Sequence, residues 1–192
     1  MTLVKKLERS YEFKWDWHEI RDEIDWLGDD KKGIAVQHSK YCKDVYHDRL
    51  VKVKHLKGEE HEYNIINPLF KDTIFEQILR NYDGYGARIL SMSPMTMYSS
   101  HMDPMPRMHL VLETNPFCFM LFPEHKKMYH IPEDNNVYYV NTSEIHTMVN
   151  TAKKGYPDRI HFVFMSDYLN KDFDWVSKWT PNIKDTVYNS YK

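Results

Sequence analysis

Residues 107–140 read RMHLVLETNPFCFMLFPEHKKMYHIPEDNNVYYV, and this stretch decides the fold. Short apolar runs at Arg107–Leu112, Phe117–Phe122, Met128–Ile131 and Val137–Val140 are broken by turn chemistry. Pro123-Glu124-His125-Lys126-Lys127 joins two runs as a hairpin, and Pro132-Glu133-Asp134-Asn135-Asn136 makes the next turn. The runs are too short for stable helices and suit strands. Ala87–Met92 precedes them, and Ile145–Asn150 and Arg159–Met165 follow. This near-regular spacing predicts a mainly β fold, a β-sandwich or barrel with helices packed outside.

The helices come from the N-terminal third. From about Glu12 to Leu27, Trp15, Ile20, Ile24 and Leu27 recur near helical spacing among charged residues, until Gly28-Asp29-Asp30 ends the pattern. Residues 34–63 are mixed, with alternating pieces such as Leu50-Val51-Lys52-Val53. A second helix starts at Pro68, carries Phe70, Ile74, Phe75, Ile78 and Leu79 on one stripe, and stops before Asp83-Gly84-Tyr85-Gly86. The tail from Asp167 to Trp179 reads as helix. The chain is expected to be a single domain over 1–192, with a helical or lid portion at 1–85, a core at 86–166, and a C-terminal helix and tail at 167–192.

Composition excludes several function classes. A net charge of −2 and a pI near 6.6 provide no general attraction to nucleic acid, and Lys52, Lys54 and Lys57 read as a solvated strand face. The apolar run at Phe117–Phe122 falls far short of the roughly 20 residues that span a bilayer. The N-terminus has no apolar signal region, and Cys42 and Cys118 have no metal or redox spacing. A cytoplasmic protein is the expectation. The aromatic share, 15%, suits a strand-rich core or a cleft walled by rings.

The chemistry concentrates between His101 and His161. In an extended strand, residues two apart share a face, so His101 and Asp103 can reach one ion while Met102 points away. His146 arrives from a distant strand. Two imidazoles and one carboxylate from separate segments form the donor set of a mononuclear Fe(II) site with open positions. Alone, an H-x-D pair is weak evidence, since a surface pair, a core histidine and structural arginines account for each residue singly. Arg107 shares a face with His109, and Arg159 with His161. A guanidinium fork matches a carboxylate bidentately. His146 and Asn150 also share a face, which makes Asn150 a supporting or substrate-binding group, or an amide satisfying a loop.

The motifs His101-Met-Asp103, Arg107-Met-His109, Val137-Tyr-Tyr-Val-Asn141, His146-Thr-Met-Val-Asn150 and Asp158-Arg159-Ile-His161 occur in an order that resembles the aspartyl/asparaginyl β-hydroxylase family of Fe(II)/2-oxoglutarate-dependent oxygenases and its amino-acid hydroxylase relatives. The likeness covers roughly residues 85–165. It implies a double-stranded β-helix (jelly roll, cupin-like), with Fe(II) held by His101, Asp103 and His146 and with 2-oxoglutarate as cosubstrate. Arg159 would grip its distal carboxylate, with Arg107 and His109 near its other end. O2 would be the co-reactant, ascorbate a supporting reductant in vitro, and a protein or peptide side chain the substrate. A free amino acid is the alternative substrate, and a non-catalytic cupin-like binding module the alternative role.

The chain also departs from the family. Mammalian members lack the carboxylate ligand that Asp103 provides, so the chain resembles the bacterial or viral type, and a carboxylate in that position favours hydroxylation over halogenation. The His101–Arg107 interval is shorter than in mammalian members. Leu90 stands where some members carry a serine that helps hold 2-oxoglutarate, with Ser91 and Ser93 nearby. Tyr82, Tyr85 and Tyr98 are the aromatic candidates for the substrate wall.

Overall fold

The turn-punctuated part of the chain folds into antiparallel strands in a computed structural model that describes residues 1–23, 33–42, 44–46 and 60–166. The strands are β1 (Val4–Ser10), β2 (Gly33–Ala35), β3 (Gln37–His38), β4 (Ile65–Ile66), β5 (Gly84–Met92), β6 (Thr96–Met97), β7 (Arg107–Glu113), β8 (Cys118–Phe122), β9 (Lys127–Tyr129), β10 (Asn136–Val140), β11 (Thr147–Asn150) and β12 (Arg159–Ser166). Two helices, α1 (Lys14–Glu23) and α2 (Ile74–Asn81), accompany them. One sheet has the order β1-β10-β7-β12-β5-β2, a second β6-β11-β8-β9, and β3 pairs with β4 alone.

Strand alternation sorts the residues into layers. On β7, β12 and β5, the residues Met108, Leu110, Leu112, Ile160, Phe162, Phe164, Ala87 and Ile89 face one way. They pack with Phe13, Trp17 and Ile20 of the α1 region and with Phe75, Ile78 and Leu79 of α2. Burying each such large side chain contributes about 1.5–3 kcal/mol. The opposite face of the same sheet carries Val111, Met92, Tyr138 and Val140, which cluster with Met120, Phe122 and Met148 of the second sheet. The two sheets therefore pack face to face as a β-sandwich, with both helices outside it.

All seven strands expected from the sequence are present, with ends that coincide or shift by at most three residues. The hairpin between β8 and β9 turns through Pro123–His125 and closes with Lys126 in the left-handed region at φ 52. Helix α1 differs from expectation in its buried stripe. Trp17 and Ile20 are buried while Trp15 is 76% exposed. Trp17 Nε1 donates to Glu113 Oε1 over 2.9 Å, which sets the docked face. The segment after Pro68 is not one helix. A 3-10 turn at Pro68–Phe70 ends where Asp72 adopts φ 62, its N–H donating to Glu76 Oε2, and α2 restarts at Ile74.

The described part of the N-terminal portion adds strands to the large sheet, β1 pairing with β10 and β2 with β5. The described helices pack on the face away from the sandwich interior. Ile24, Leu27, the Gly28–Asp30 stop, the Leu50–Val53 piece, Lys52, Lys54, Lys57 and the tail from Asp167 lie outside the described residues. No described helix is long and apolar enough to cross a membrane.

Candidate metal centre

His101, Asp103 and His146 come together, each offering a ligand atom within 4.8 Å of the others. Their route is not the one strand parity suggests. His101 lies beyond β6 and joins His146 in an isolated antiparallel bridge, with His101 N–H donating to the His146 carbonyl at 3.0 Å and His146 N–H to the His101 carbonyl at 2.9 Å. Asp103 leaves that line, and its N–H donates to the Thr142 carbonyl at 2.8 Å, just past β10. The backbone thus brings the three ligands together from two layers of the sandwich.

The ring orientations suit a metal. Nδ1 of His101 lies 2.8 Å from the Ser99 carbonyl, and Nδ1 of His146 lies 2.9 Å from the Glu144 carbonyl. A carbonyl only accepts, so both rings carry hydrogen on Nδ1 and direct a lone pair through Nε2. His146 Nε2 lies 3.9 Å from Asp103 Oδ2, and the two imidazole centroids are 4.5 Å apart. Burial lowers the pKa of His146, which favours the neutral, ligating form. Arg107 holds the carboxylate, with Nη2 2.8 Å from Oδ1 and Nε 2.6 Å from Oδ2. Burial works to raise the pKa of Asp103, but the charge and hydrogen bond of Arg107 outweigh it and hold the carboxyl below its usual value. Two imidazole Nε2 atoms and a carboxylate within reach of one another could hold a metal ion.

Behind this cluster, the sandwich-facing side of the large sheet is basic. Arg159 is 3% exposed, His161 1%, His109 5% and Arg107 8%. Arg159 Nη2 lies 2.6 Å from His161 Nδ1, and His161 Nδ1 lies 3.3 Å from His109 Nδ1. Arg159 makes no ion pair among the described residues. Burial lowers its pKa to about 10. Burial, and then the charge of Arg159, holds both His161 and His109 well below the ordinary imidazole range. An isolated buried cation is costly, and an anion in contact with it removes that cost.

Arg88 is the residue that strand reading left out. It faces Val163 across β5 and β12, and Val163 faces His109 across β12 and β7, so Arg88 belongs to the same basic surface. Its signal was parity, since it lies two residues before Leu90. Tyr98 is beside this surface, its hydroxyl 3.4 Å from the Ser91 carbonyl and its phenol within the fields of Arg159 and Arg88. Tyr85 contacts Met105 on the ligand loop, whereas Tyr82 caps α2 in the outer core. Ser91 and Ser93 both donate to Asp158. Asn150 is fully buried. Its amide accepts from Asn115 and from the Ala152 N–H and donates to the Met92 carbonyl, so it fastens loops. No known family model matches this chain, and no curated protein is detectably similar to it.

Proposed function

We propose that the protein is an Fe(II)- and 2-oxoglutarate-dependent oxygenase of the aspartyl/asparaginyl β-hydroxylase type, acting on a side chain in a protein or peptide. The observation that carries this reading is a pair: a His-Asp-His cluster with metal-ready lone pairs, and a buried Arg159 with no carboxylate partner among the described residues on the sheet face behind it. A dicarboxylate that chelates an ion at one end answers both needs.

The strand order supports a jelly roll. Counting β5 to β12 as one to eight, the shared core of the two sheets runs 6-3-8-1 and 2-7-4-5. That alternation between sheets is the path of a double-stranded β-helix.

In this reading His101, Asp103 and His146 would hold Fe(II), which with 2-oxoglutarate and O2 would supply the chemistry that hydroxylates a C–H bond, with succinate and CO2 as the other products. Arg107 orients the Asp103 carboxylate and keeps it ionised. Arg159 binds the distal carboxylate through its fork, and the closed interior around His109 and His161 excludes water from that end. His101 is exposed, as is Met102 next to it in sequence at 62%, and Met97 and Met95 on the segment leading to it are 65% and 76% exposed. An open rim of adaptable side chains suits an extended chain better than a closed small-molecule pocket.

Succinate release is the test, with Fe(II), ascorbate and 2-oxoglutarate supplied and peptide libraries set against free amino acids. Oxygen gained by a peptide supports the proposal. Faster turnover of a free amino acid than of every peptide replaces it with the amino-acid hydroxylase reading, and tight metal binding without turnover replaces it with a binding module. Alanine in place of His101, Asp103 or His146 is expected to abolish stoichiometric iron after dialysis. Unchanged iron in all three variants refutes the ligand set.

A further inference from the structure

Hydrogen-bond chemistry fixes where the protons lie on the buried imidazoles. A guanidinium only donates, so the His161 Nδ1 that lies 2.6 Å from Arg159 Nη2 is an acceptor. His161 is neutral in this surrounding, and its single ring hydrogen therefore sits on Nε2. His109 Nδ1 lies 3.3 Å from that same His161 Nδ1 and must be the donor of the pair, which leaves a lone pair on His109 Nε2. Both Nε2 atoms are buried and have no hydrogen-bond partner among the described residues. One is a donor that lacks an acceptor, and the other is an acceptor that lacks a donor.

A ligand carboxylate supplies acceptors only, so it satisfies His161 and not His109. His161 is also placed for the task. It lies two residues from Arg159 on the same strand face and directly across from Leu90, whose side chain offers no hydrogen bond.

We propose that His161 is a further binding residue for the carboxylate received by Arg159, donating from Nε2 to one oxygen while the guanidinium donates to the carboxylate. This rests on the oxygenase reading and makes His161, rather than His109, the imidazole donor to the cosubstrate. Arg159 then acts twice, as a charge partner and as the group that holds His161 in the donating tautomer.

The test compares 2-oxoglutarate with 2-oxopentanoate, which has a methyl group in place of the distal carboxylate. Calorimetry on the full chain loaded with Fe(II), without oxygen, reads both affinities. His161→Leu is expected to weaken 2-oxoglutarate binding by about 10- to 150-fold, the range of one hydrogen bond to a charged group, and to leave 2-oxopentanoate nearly unaffected. His161→Gln, which keeps an N–H donor at a similar reach, is expected to restore most of the loss. A preference for 2-oxoglutarate that survives in His161→Leu overturns the role of His161 and leaves the oxygenase reading standing. No binding of 2-oxoglutarate to the unaltered protein overturns both. Should the leucine variant fail to fold, long-range proton–nitrogen spectra of the unaltered protein decide. Hydrogen on His161 Nε2 and on His109 Nδ1 supports the assignment, and the reverse placement overturns it.

Discussion

Replacing Arg159 with methionine is expected to stabilise the ligand-free protein and, at the same time, to remove its grip on 2-oxoglutarate. The guanidinium is 3% exposed, and burial lowers its pKa by about two and a half units, to about 10. At about 1.4 kcal/mol per unit, that shift is a penalty of about 3 kcal/mol on the charged form in the folded state. The group is charged in both folded and unfolded chains at pH 7, so the native state carries the whole penalty there. It is relieved only as pH rises through the folded value. Methionine fills similar space without charge and gives up one charge-assisted hydrogen bond to His161, worth about 1.5–3 kcal/mol. The net gain is up to about 2 kcal/mol, at about 2–4 °C of Tm per kcal/mol for a chain of this length. Urea unfolding of metal-free protein measures it, and a 2-oxoglutarate titration should show binding weakened by about 30- to 150-fold in the variant. A variant less stable than its parent by 1 kcal/mol or more would show that the guanidinium is already compensated, and the argument for an anionic ligand would fail.

Acid should destabilise the metal-free protein well above the carboxylate range. His109 and His161 have folded pKa values held far below 6.5 by burial, so the unfolded chain binds more protons, and stability falls as pH drops through 6.5. Two such groups cost on the order of 2–3 kcal/mol between pH 7.5 and 5.5, and a flat urea midpoint over that interval would contradict it. Asn150→Ala should cost about 2–4 kcal/mol by stranding the Met92 carbonyl and the Ala152 N–H and removing one of Asn115's hydrogen bonds, with iron stoichiometry retained. Loss of iron binding at unchanged stability would instead return Asn150 to the site.

The strands were legible wherever an apolar run met a turn with its own chemistry, as at Phe117–Phe122 before Pro123. β1 was not, because Val-Lys-Lys-Leu-Glu-Arg-Ser alternates poorly and is held in the sheet by pairing with β10 rather than by its own pattern. The stripe of α1 was misassigned at its first member: Trp17, not Trp15, lies three residues before Ile20 on the same helical face, and its hydrogen bond to Glu113 fastens that face. The three metal ligands were legible as residue types in order. Their geometry was not, since the His101–His146 bridge and the Asp103–Thr142 hydrogen bond are long-range backbone contacts. Arg88 was hidden for a related reason. A lone arginine among apolar residues acquires meaning only when cross-strand register places it in the row of His109.

The bridge between His101 and His146 makes the candidate centre a rivet. Two ligands extend the small sheet beyond β6 and ahead of β11, while Asp103 is tied past β10 of the large sheet, so an ion held by all three pins one layer to the other at the mouth. Occupancy and breathing of the sandwich are then a single equilibrium. Slow amide exchange at His101 and His146 should persist without metal, because two reciprocal hydrogen bonds join them, whereas a single one ties Asp103 to Thr142. The Asp103 amide should exchange faster when metal is removed, and the gap between those rates would gauge how firmly the ion closes the seam.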